Sequence, residues 1–423
     1  MLTPVLRRFF PFLNWPRPNR QTLGRDCWAG ITVGLVLIPQ ALAYATLAGM
    51  PAHTGLYAAL LPSVVGVLWG SSALLAVGPV ALTSLLVYGA LSPIAQPGSP
   101  QWVALAIWLA LYAGIMQFLL GAFRGGRIAS LVSTPVMVGF INAAAVIIIF
   151  SQLPALLGME LSPGGSAGIM ERLRNAAAIP IVPVFGCTAI ALLLALRRFL
   201  PRLPGILIVT IGSIAVSTMV GYSSAGGNVV GDVPSGLPPL AIPPAISLDS
   251  HRHLLPAALI IALISFTEAM SSCRVLARKT NEQWDENQEL LGQGLAKVTA
   301  AFSGTFAVSG SFSRSALNLY SGAVSAWSTL FAAATVLAFL LFLTEYLFHL
   351  PKSVLAAIII VPVLTLLDLN AFRQLFAAKA SDGVIAVVTF LVTLLALPHL
   401  YWGVVAGVCL SVAAHFYRKC RSR

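Results

Sequence analysis

Apolar runs long enough to cross a lipid bilayer recur along almost the whole chain. A helix of about 20 apolar residues spans the hydrocarbon core of a bilayer, and a scan at that length finds about fourteen candidates. They lie near residues 29–48, 55–70, 79–93, 103–122, 128–157, 180–199, 203–221, 253–273, 287–303, 312–323, 325–344, 352–367, 383–397 and 400–417. Only 9% of the residues are charged, whereas a soluble protein carries about a quarter. The sequence therefore predicts an all-α polytopic membrane protein with the lipid bilayer as its surroundings.

The basic residues indicate how the chain is oriented. The formal net charge is +12, and most Lys and Arg residues fall in connections on one side of the threaded chain. Only Arg172, Arg174, Arg252 and Lys352 fall in connections on the other side. Because Lys and Arg accumulate in cytoplasmic loops, we predict a multi-pass protein of the cell inner (plasma) membrane with both termini cytoplasmic. This placement explains the positive charge without a nucleic-acid partner, and none is predicted.

Neither a removable signal nor a metal or redox centre is indicated. The first 28 residues contain Arg and Pro without an uninterrupted apolar core, so no signal peptide is predicted. The 5 cysteines show no paired spacing and the 6 histidines no metal-ligand spacing, so no disulfide framework or metal site is expected. Because no nucleophile and base occur together within an apolar run, the protein is predicted not to be an enzyme, and no cofactor is expected.

A Gly-, Pro- and Ser-rich stretch at residues 223–252 divides the chain into two halves. Residues 29–222 are interpreted as a first repeat and residues 253–417 as a second, with cytoplasmic segments at 1–28 and 418–423. Each half carries about seven runs. An odd number of spans gives the two halves opposite membrane orientations, as in transporters built from inverted repeats.

Each half contains a break at the start of its third run. The breaks are Gly78-Pro79 in the first half and Gly310-Ser311 in the second. We expect a short half-helix after each break, with its N-terminus near the middle of the bilayer. Free N–H groups at a helix N-terminus attract anions, and Arg314 adds a full positive charge beside the second. Simple kinks, which Gly and Pro also produce in membrane helices, are the alternative.

Glu268 is the acidic residue with long apolar sequence on both sides, whereas the others fall in polar connections or at the ends of apolar runs. An ionisable group at bilayer depth is costly and is therefore a candidate functional residue. Ser265 and Ser272 share its helix face. We expect the carboxyl group to take up and release a proton. A sodium site with the Ser272 hydroxyl and a structural ion pair with Arg314 or Lys297 are the alternatives.

Two further polar residues lie within the first run. Gln40 follows Pro39, and Tyr44 comes one turn later. Gln40 offers both a donor and an acceptor, so it can line a pocket for an anion or pack between helices. Lys297 is interpreted instead as an interface residue whose ammonium group reaches the lipid headgroups.

Two long, ordered motifs resemble the sulfate permease (SulP) family, the solute carrier family 26 anion transporters. They are LIPQALAYATLAGMPAHTGLYAALLPSVVGVLWGSS followed by VGPVALTSLL, and NQELLGQGLAKVTAAFSGTFAVSGSFSRSALNLYSGA followed by LPKSVLAAIII. The likeness covers nearly all of residues 20–417. It implies inverted repeats of seven plus seven segments, with a core domain from segments 1–4 and 8–11 and a gate domain from segments 5–7 and 12–14.

The resemblance also implies the residues of a site, transport by an elevator movement, and a homodimer. A small anionic substrate would contact Gln40, Tyr44, Gly78, Pro79, Val80, Ser311, Phe312, Ser313 and Arg314, and cation coupling would fall to Glu268 and Ser272. Family members usually end in a cytoplasmic STAS domain, whereas this chain stops at CRSR just after its last segment. A naturally short member and a removed domain both fit.

The predicted function is secondary active transport of a small anion. The resemblance implies sulfate, bicarbonate and dicarboxylates such as fumarate as substrates, and we expect proton-coupled symport of a dicarboxylate or of one of these inorganic anions. One alternative is an uncoupled anion exchanger or channel, and another is a sodium-coupled bicarbonate symporter. A nucleobase transporter of the same fold is a further alternative, but it has no need of Arg314.

Overall fold

The computed structural model describes residues 10–15, 17–126, 132–159, 180–200, 203–240 and 242–421, without the side chains of residues 14 and 415–421. Arg172, Arg174, residues 1–9 of the predicted N-terminal segment and residues 422–423 of the predicted tail lie outside the described residues. The first half of the chain forms α1 (Arg20–Leu47), α2 (His53–Trp69), β1 (Ala76–Gly78), α3 (Ala81–Leu91), α4 (Pro100–Ala122), α5 (Thr134–Leu157), α6 (Ile181–Phe199) and α7 (Gly205–Val220). The second half forms α8 (Leu248–Thr280), α9 (Glu286–Phe302), β2 (Ser309–Ser311), α10 (Phe312–Tyr320), α11 (Trp327–Phe342), α12 (Lys352–Leu364), α13 (Leu369–Ala378), α14 (Ala380–Leu395) and α15 (Tyr401–Arg421).

Every predicted apolar run contains a helix. Among the described residues, 6 spans are long and apolar enough to cross a membrane by length and composition: α1, α4, α5, α6, α8 and Lys352–Ala378, which comprises α12 and α13. Most of the others are shorter apolar helices. Helix α13 was not predicted, because its sequence LNAFRQLFAA mixes polar and apolar residues. In the structure it buries none of them.

The first helix begins earlier than the predicted boundary at residue 28. Asn19 caps it at Arg20, where the Asn19 side chain accepts from the Thr22 N–H at 2.7 Å and the Thr22 hydroxyl accepts from the Asn19 N–H at 3.0 Å. This reciprocal capping box satisfies two N–H groups at the helix start. Polar residues therefore extend α1 beyond the apolar run from which it was predicted.

The helices contact one another mainly within two groups. The first helix group consists of α1–α4 and α8–α11 with both strands, and the second helix group consists of α5–α7 and α12–α15. In the first group, α4 and α9 approach closely at Gly114, where an added Cβ would lie 2.8 Å from the carbonyl oxygen of Gly294. Small residues allow such backbone approach where lipid supplies no hydrophobic driving force between helices.

The two strands join the two halves of the chain. They pair antiparallel, with Ala76 opposite Ser311 and Gly78 opposite Ser309. Strand β1 leads through two residues into α3, and β2 leads directly into α10. This two-stranded ribbon, formed by β1 and β2, therefore holds the start of one short helix at each of its two ends, deep in the first helix group.

Two acidic residues predicted to lie in polar connections or at run ends are buried instead. Asp26 lies within α1 and is fully buried, where it accepts hydrogen bonds from the N–H groups of Val324 and Ser325 and from the Ser325 hydroxyl. Glu289 lies in the first turn of α9 and is also buried. Both carboxylates are stabilised by donors from loops distant in sequence, which is how buried charges are normally compensated.

Candidate functional site

A short helix follows each predicted break. Helix α3 has 11 residues and is preceded by Val80, and α10 has 9 residues and is capped by Ser311. The Ser311 hydroxyl accepts from the Arg314 N–H at 3.4 Å, whereas no side chain caps α3. The first N–H groups of a helix have no intrahelical partner and carry partial positive charge. Both helix ends therefore present free donors to the region around the ribbon.

Arg314 is buried between these helix ends, with 1% of its surface exposed. Its Nη1 donates to the carbonyl oxygen of Pro79 at 2.8 Å, whereas Nε and Nη2 have no hydrogen-bond partner. A buried cation with unused donors is costly unless an anion compensates it. The planar guanidinium matches the oxygens of a carboxylate or of a tetrahedral oxyanion.

The backbone beside Arg314 requires glycine at position 78. Gly78 has a φ of +155°, and an added Cβ would lie 3.2 Å from Nη2 of Arg314. Glycine tolerates both the conformation and the close approach. Gly78 was predicted to contact the substrate; in the structure it leaves space for the guanidinium of Arg314.

Serine hydroxyls hold the ribbon in place from both sides. Ser63 donates to the carbonyl oxygen of Val77 at 2.7 Å, and the Ser315 hydroxyl accepts from the N–H of Ala76 at 2.8 Å. Ser309 in turn donates to the carbonyl oxygen of Ser265 on α8 at 2.9 Å. Neither Ser63 nor Ser315 was predicted, since a single Ser in an apolar run does not reveal its partner.

Several buried polar atoms near this region have no hydrogen-bond partner. Oε1 of Gln40, Oγ1 of Thr83, Oγ of Ser84 and Oε2 of Glu268 are all buried and unpartnered. Buried polar groups are nearly always paired, so an unpartnered set indicates a place that a ligand or water fills. Thr83 and Ser84 were not predicted. Their position in the first turn after a break was the available signal.

A cavity of about 330 Å³ connects the predicted residues to the exposed surface. The buried Gln40 and Arg314 line it, together with the exposed Arg197, Ser313 and Thr365. Its volume falls within the range of about 300–1,000 Å³ that is usual for small-molecule sites.

The remaining predicted substrate residues take different positions. Tyr44 and Val80 are buried, and Tyr44 interacts electrostatically with both Arg314 and Glu268. Ser311 caps α10, and its hydroxyl lies 3.4 Å from that of Ser313. Phe312 is 50% exposed, so its ring lies at the edge of the buried region.

Glu268 interacts electrostatically with Arg314 and Lys297 but forms no ion pair with either. Within 4 Å, the ion pairs in the described ranges are His253 with Asp249 and Arg274 with Glu286. The Ser272 hydroxyl donates to the backbone carbonyl of Glu268 at 3.2 Å, not to its carboxylate. The described part of the chain holds no group of three or more His, Cys, Asp or Glu residues that fits a metal ion.

Lys297 is fully buried, so its interpretation as an interface residue was wrong. Its Nζ donates to Oε1 of Gln117 on α4 at 2.8 Å. Nε2 of Gln117 donates to the carbonyl oxygen of Ala262 at 2.6 Å and to the Ser265 hydroxyl at 3.2 Å, both on α8. The amide of Gln117 thus connects the lysine on α9 to the helix that carries Glu268.

Two carboxylates hold the loop that leads into β1. Oε2 of Glu289 accepts from the N–H groups of Ser71 at 2.8 Å and Ser72 at 3.0 Å, and Oε1 of Glu282 accepts from the Ala73 N–H at 2.8 Å. Burial raises the pKa of Glu282, and the hydrogen bond from Ala73 opposes that rise. Glu282, in the connection between α8 and α9, and Glu289, in α9, therefore hold the backbone just before β1.

Comparison with known proteins identifies the family and the fold. A family model described as "Sulfate permease family" matches residues 23–389. A probable sulfate transporter of Mycobacterium tuberculosis is 34% identical over 398 residues, which is 93% of this chain and 70% of that protein.

Two solved structures share the fold. The murine solute carrier 26 family member A9 anion transporter, in an inward-facing state, matches 99% of this chain and 72% of its own with a TM-score of 0.87 at 22% identity. The transmembrane domain of a cyanobacterium bicarbonate transporter, BicA, matches 93% of this chain and 99% of its own with a TM-score of 0.78 at 21% identity. The family predicted from the sequence motifs is thus confirmed: this chain belongs to the sulfate permease family of membrane-embedded anion transporters.

Proposed function

We propose that the protein is a secondary active transporter that carries a small anion together with protons. The substrates proposed are a dicarboxylate resembling fumarate and inorganic anions such as sulfate and bicarbonate. The observation that carries this proposal is the state of Arg314. This buried cation uses one N–H on Pro79 and has two nitrogens without partners, beside two helix N-termini. An anion with several oxygens compensates all of these groups at once.

Within this proposal the anion lies between the first turns of α3 and α10. Its oxygens accept from Nε and Nη2 of Arg314, from free N–H groups at the two helix starts, and from the hydroxyls of Thr83 or Ser84. The amide of Gln40 faces the same cavity as Arg314. A neutral nucleobase does not need this cation, which is why an anion is preferred over the nucleobase alternative.

Glu268 is proposed as the proton carrier. Its carboxyl lies at bilayer depth on α8, has one oxygen without a partner and interacts electrostatically with Arg314. When an anion occupies the guanidinium, the ionised carboxylate loses that favourable interaction, so anion binding and protonation of Glu268 reinforce each other. Sodium coupling is less favoured, because the Ser272 hydroxyl faces a backbone carbonyl and not the carboxylate.

The two helix groups suggest how the site changes its exposure. We propose that the first helix group is the core domain, that the second is the gate domain, and that an elevator movement of the core carries the anion across. The cavity supports this assignment, since Gln40, Ser313 and Arg314 belong to the first group and Arg197 and Thr365 to the second or its edge. Opposite orientation of the two repeats, cytoplasmic termini and a homodimer in the cell inner membrane are parts of the same proposal.

Uptake into proteoliposomes tests the proposal directly. Purified protein is reconstituted, and labelled fumarate, sulfate, bicarbonate, chloride and, as a neutral control, uracil are offered with and without an inward proton gradient. We expect one or more anions to accumulate above equilibrium only when the gradient is present. Flux that ignores proton and sodium gradients would identify an uncoupled exchanger or channel, and a response to sodium alone would identify a sodium-coupled symporter.

A further inference from the structure

Lys297 is a second cation at bilayer depth that no carboxylate neutralises directly. It is fully buried and lies roughly 16 Å along α9 from the start of that helix. Its hydrogen bond at 2.8 Å goes to the neutral amide of Gln117. Because the other end of that amide is fixed to α8 through Ala262 and Ser265, the ammonium group is held at a defined place beside the helix that carries Glu268.

Arg314 and Glu268 complete a set of three charged groups in the interior of the first helix group. Glu268 interacts electrostatically with Arg314 and with Lys297. Tyr44 is a titratable neighbour of both Glu268 and Arg314. None of the three takes part in an ion pair within 4 Å in the ranges that the structure describes. The other titratable side chains on the elements packed against α8 are Tyr88, Glu286, Glu289 and Tyr320, which lie toward helix ends, and Tyr112, whose hydroxyl lies 2.6 Å from Nδ1 of His251 near the start of α8.

With Lys297 counted in its ammonium form, the sum of these charges depends on the proton at Glu268. With Glu268 ionised, two cations and one carboxylate leave one positive charge, and with Glu268 protonated they leave two. Uncompensated charge is costly in a low-dielectric interior. A loaded site is therefore neutral with a singly charged anion when Glu268 is ionised, and with a doubly charged anion when Glu268 is protonated.

From this balance we infer that Lys297 sets the ratio of protons to anions, so that a dianion is carried with one proton and a monoanion with none. Among the proposed substrates, this limits proton coupling to sulfate and the dicarboxylate, and bicarbonate is carried without a proton. The inference rests on the proposed function, because it requires an anion at Arg314. Without Lys297 the same sum reaches neutrality only with a monoanion and a protonated Glu268. Removing one ammonium group therefore changes both the preferred anion and its proton requirement.

The test uses the full chain in proteoliposomes that contain a pH-sensitive dye. Labelled sulfate serves as the dianion and labelled nitrate as the monoanion, and proton entry is measured with each. Three variants are compared: Lys297→Met, Glu268→Gln and the double variant. Lys297→Arg serves as the control that keeps the charge, and thermal unfolding and gel filtration in detergent check that every variant is folded.

We expect the wild type and Lys297→Arg to take up one proton per sulfate and none per nitrate. Lys297→Met should lose sulfate uptake by more than about tenfold and should take up one proton with each nitrate. The double variant should carry nitrate without a proton again, because one positive charge is restored. A merely structural role for Lys297 predicts no such recovery when a second residue is changed.

The possible failures are distinguishable. If the wild type carries neither anion, nor any other in the panel above, the proposed function itself is wrong. If the wild type carries them but Lys297→Met keeps the wild-type proton ratio for both, only the role of Lys297 is overturned. Should Lys297→Met fail to fold, Glu268→Gln decides: with Lys297 counted, two positive charges remain and sulfate should be preferred to nitrate, whereas a preference for nitrate overturns the role of Lys297.

Discussion

Nη1 of Arg314 donates to the carbonyl oxygen of Pro79 at 2.8 Å, across 235 positions of sequence and between the two halves of the chain. Each residue belongs to the start of one short helix. The contact therefore fixes the relative position of the two helix N-termini and orients the remaining guanidinium donors. Arg314 therefore contributes to the fold as well as to the proposed anion site.

Replacing Arg314 should weaken anion binding. Arg314→Ala removes donors that we expect to contact the anion, and since hydrogen bonds to charged groups contribute about 1.5–3 kcal/mol each, the half-saturating concentration should rise roughly 10- to 100-fold. Concentration-dependent uptake measures this change. Arg373→Ala on the exposed surface of α13 is the control and should leave affinity unchanged. An unaltered affinity in Arg314→Ala would remove Arg314 from the substrate site.

Replacing Glu268 by Gln should separate coupling from binding. The amide has the shape of the carboxyl but cannot carry a proton, so uphill uptake driven by a proton gradient should be lost. Anion binding and exchange should be partly retained, because Arg314 and both helix ends are unchanged. Counterflow of labelled anion, compared with gradient-driven uptake, measures the two activities separately. A variant that no longer folds would instead assign Glu268 a structural role.

Gly78→Ala should impair anion transport beyond what its loss of stability explains. An alanine Cβ would approach Nη2 of Arg314 to 3.2 Å and would also strain a backbone at positive φ. Gly98→Ala is a matched control, because Gly98 also has positive φ, at +79°, and its added Cβ meets nothing within 4 Å. Both variants should lose about 1–2 kcal/mol of stability through strain. Only Gly78→Ala should also raise the half-saturating anion concentration, which parallel unfolding and uptake assays determine.

Glu289→Ala should destabilise the protein. The carboxylate accepts from the N–H groups of Ser71 and Ser72 and from Nε2 of Gln293 at 3.0 Å, and each buried donor left without a partner costs about 1–3 kcal/mol. The unfolding temperature in detergent should fall clearly. Glu286→Ala, three positions earlier on the same helix, removes only a partly exposed ion pair with Arg274 at 3.3 Å, which is worth about 0–1 kcal/mol. Equal shifts for the two variants would contradict the assigned role of Glu289.

The positions of the helices and of the two breaks were predictable, because apolar length and Gly or Pro punctuation are local properties of the chain. Arg314 was also identifiable as a candidate anion-binding residue, since it lies within a few residues of a break. The burial of Lys297 was not, because it depends on Gln117, which lies 180 positions away. A lysine near a short apolar run has the same local pattern whether it reaches the headgroups or meets an amide inside the protein.

The buried carboxylates show the same limit. Asp26 and Glu289 stand near the ends of apolar runs, where exposed acidic residues are common, and only the distant loops that cap them reveal their burial. The pairing of β1 with β2 could not be predicted either, since each strand has only 3 residues and its partner belongs to the other half of the chain. Pairing between distant segments is what the local sequence does not encode.

The ribbon also has a consequence for how the protein is made. Strand β1 leaves the ribosome long before β2, because paired residues of the two strands, such as Ala76 and Ser311, lie 235 positions apart in the sequence. Until β2 is synthesised, the edge of β1 has no partner strand and Pro79 has no guanidinium to accept from. If the proposed anion site is right, the newly made first half lacks half of it, and transport activity should arise in a single late step of biosynthesis.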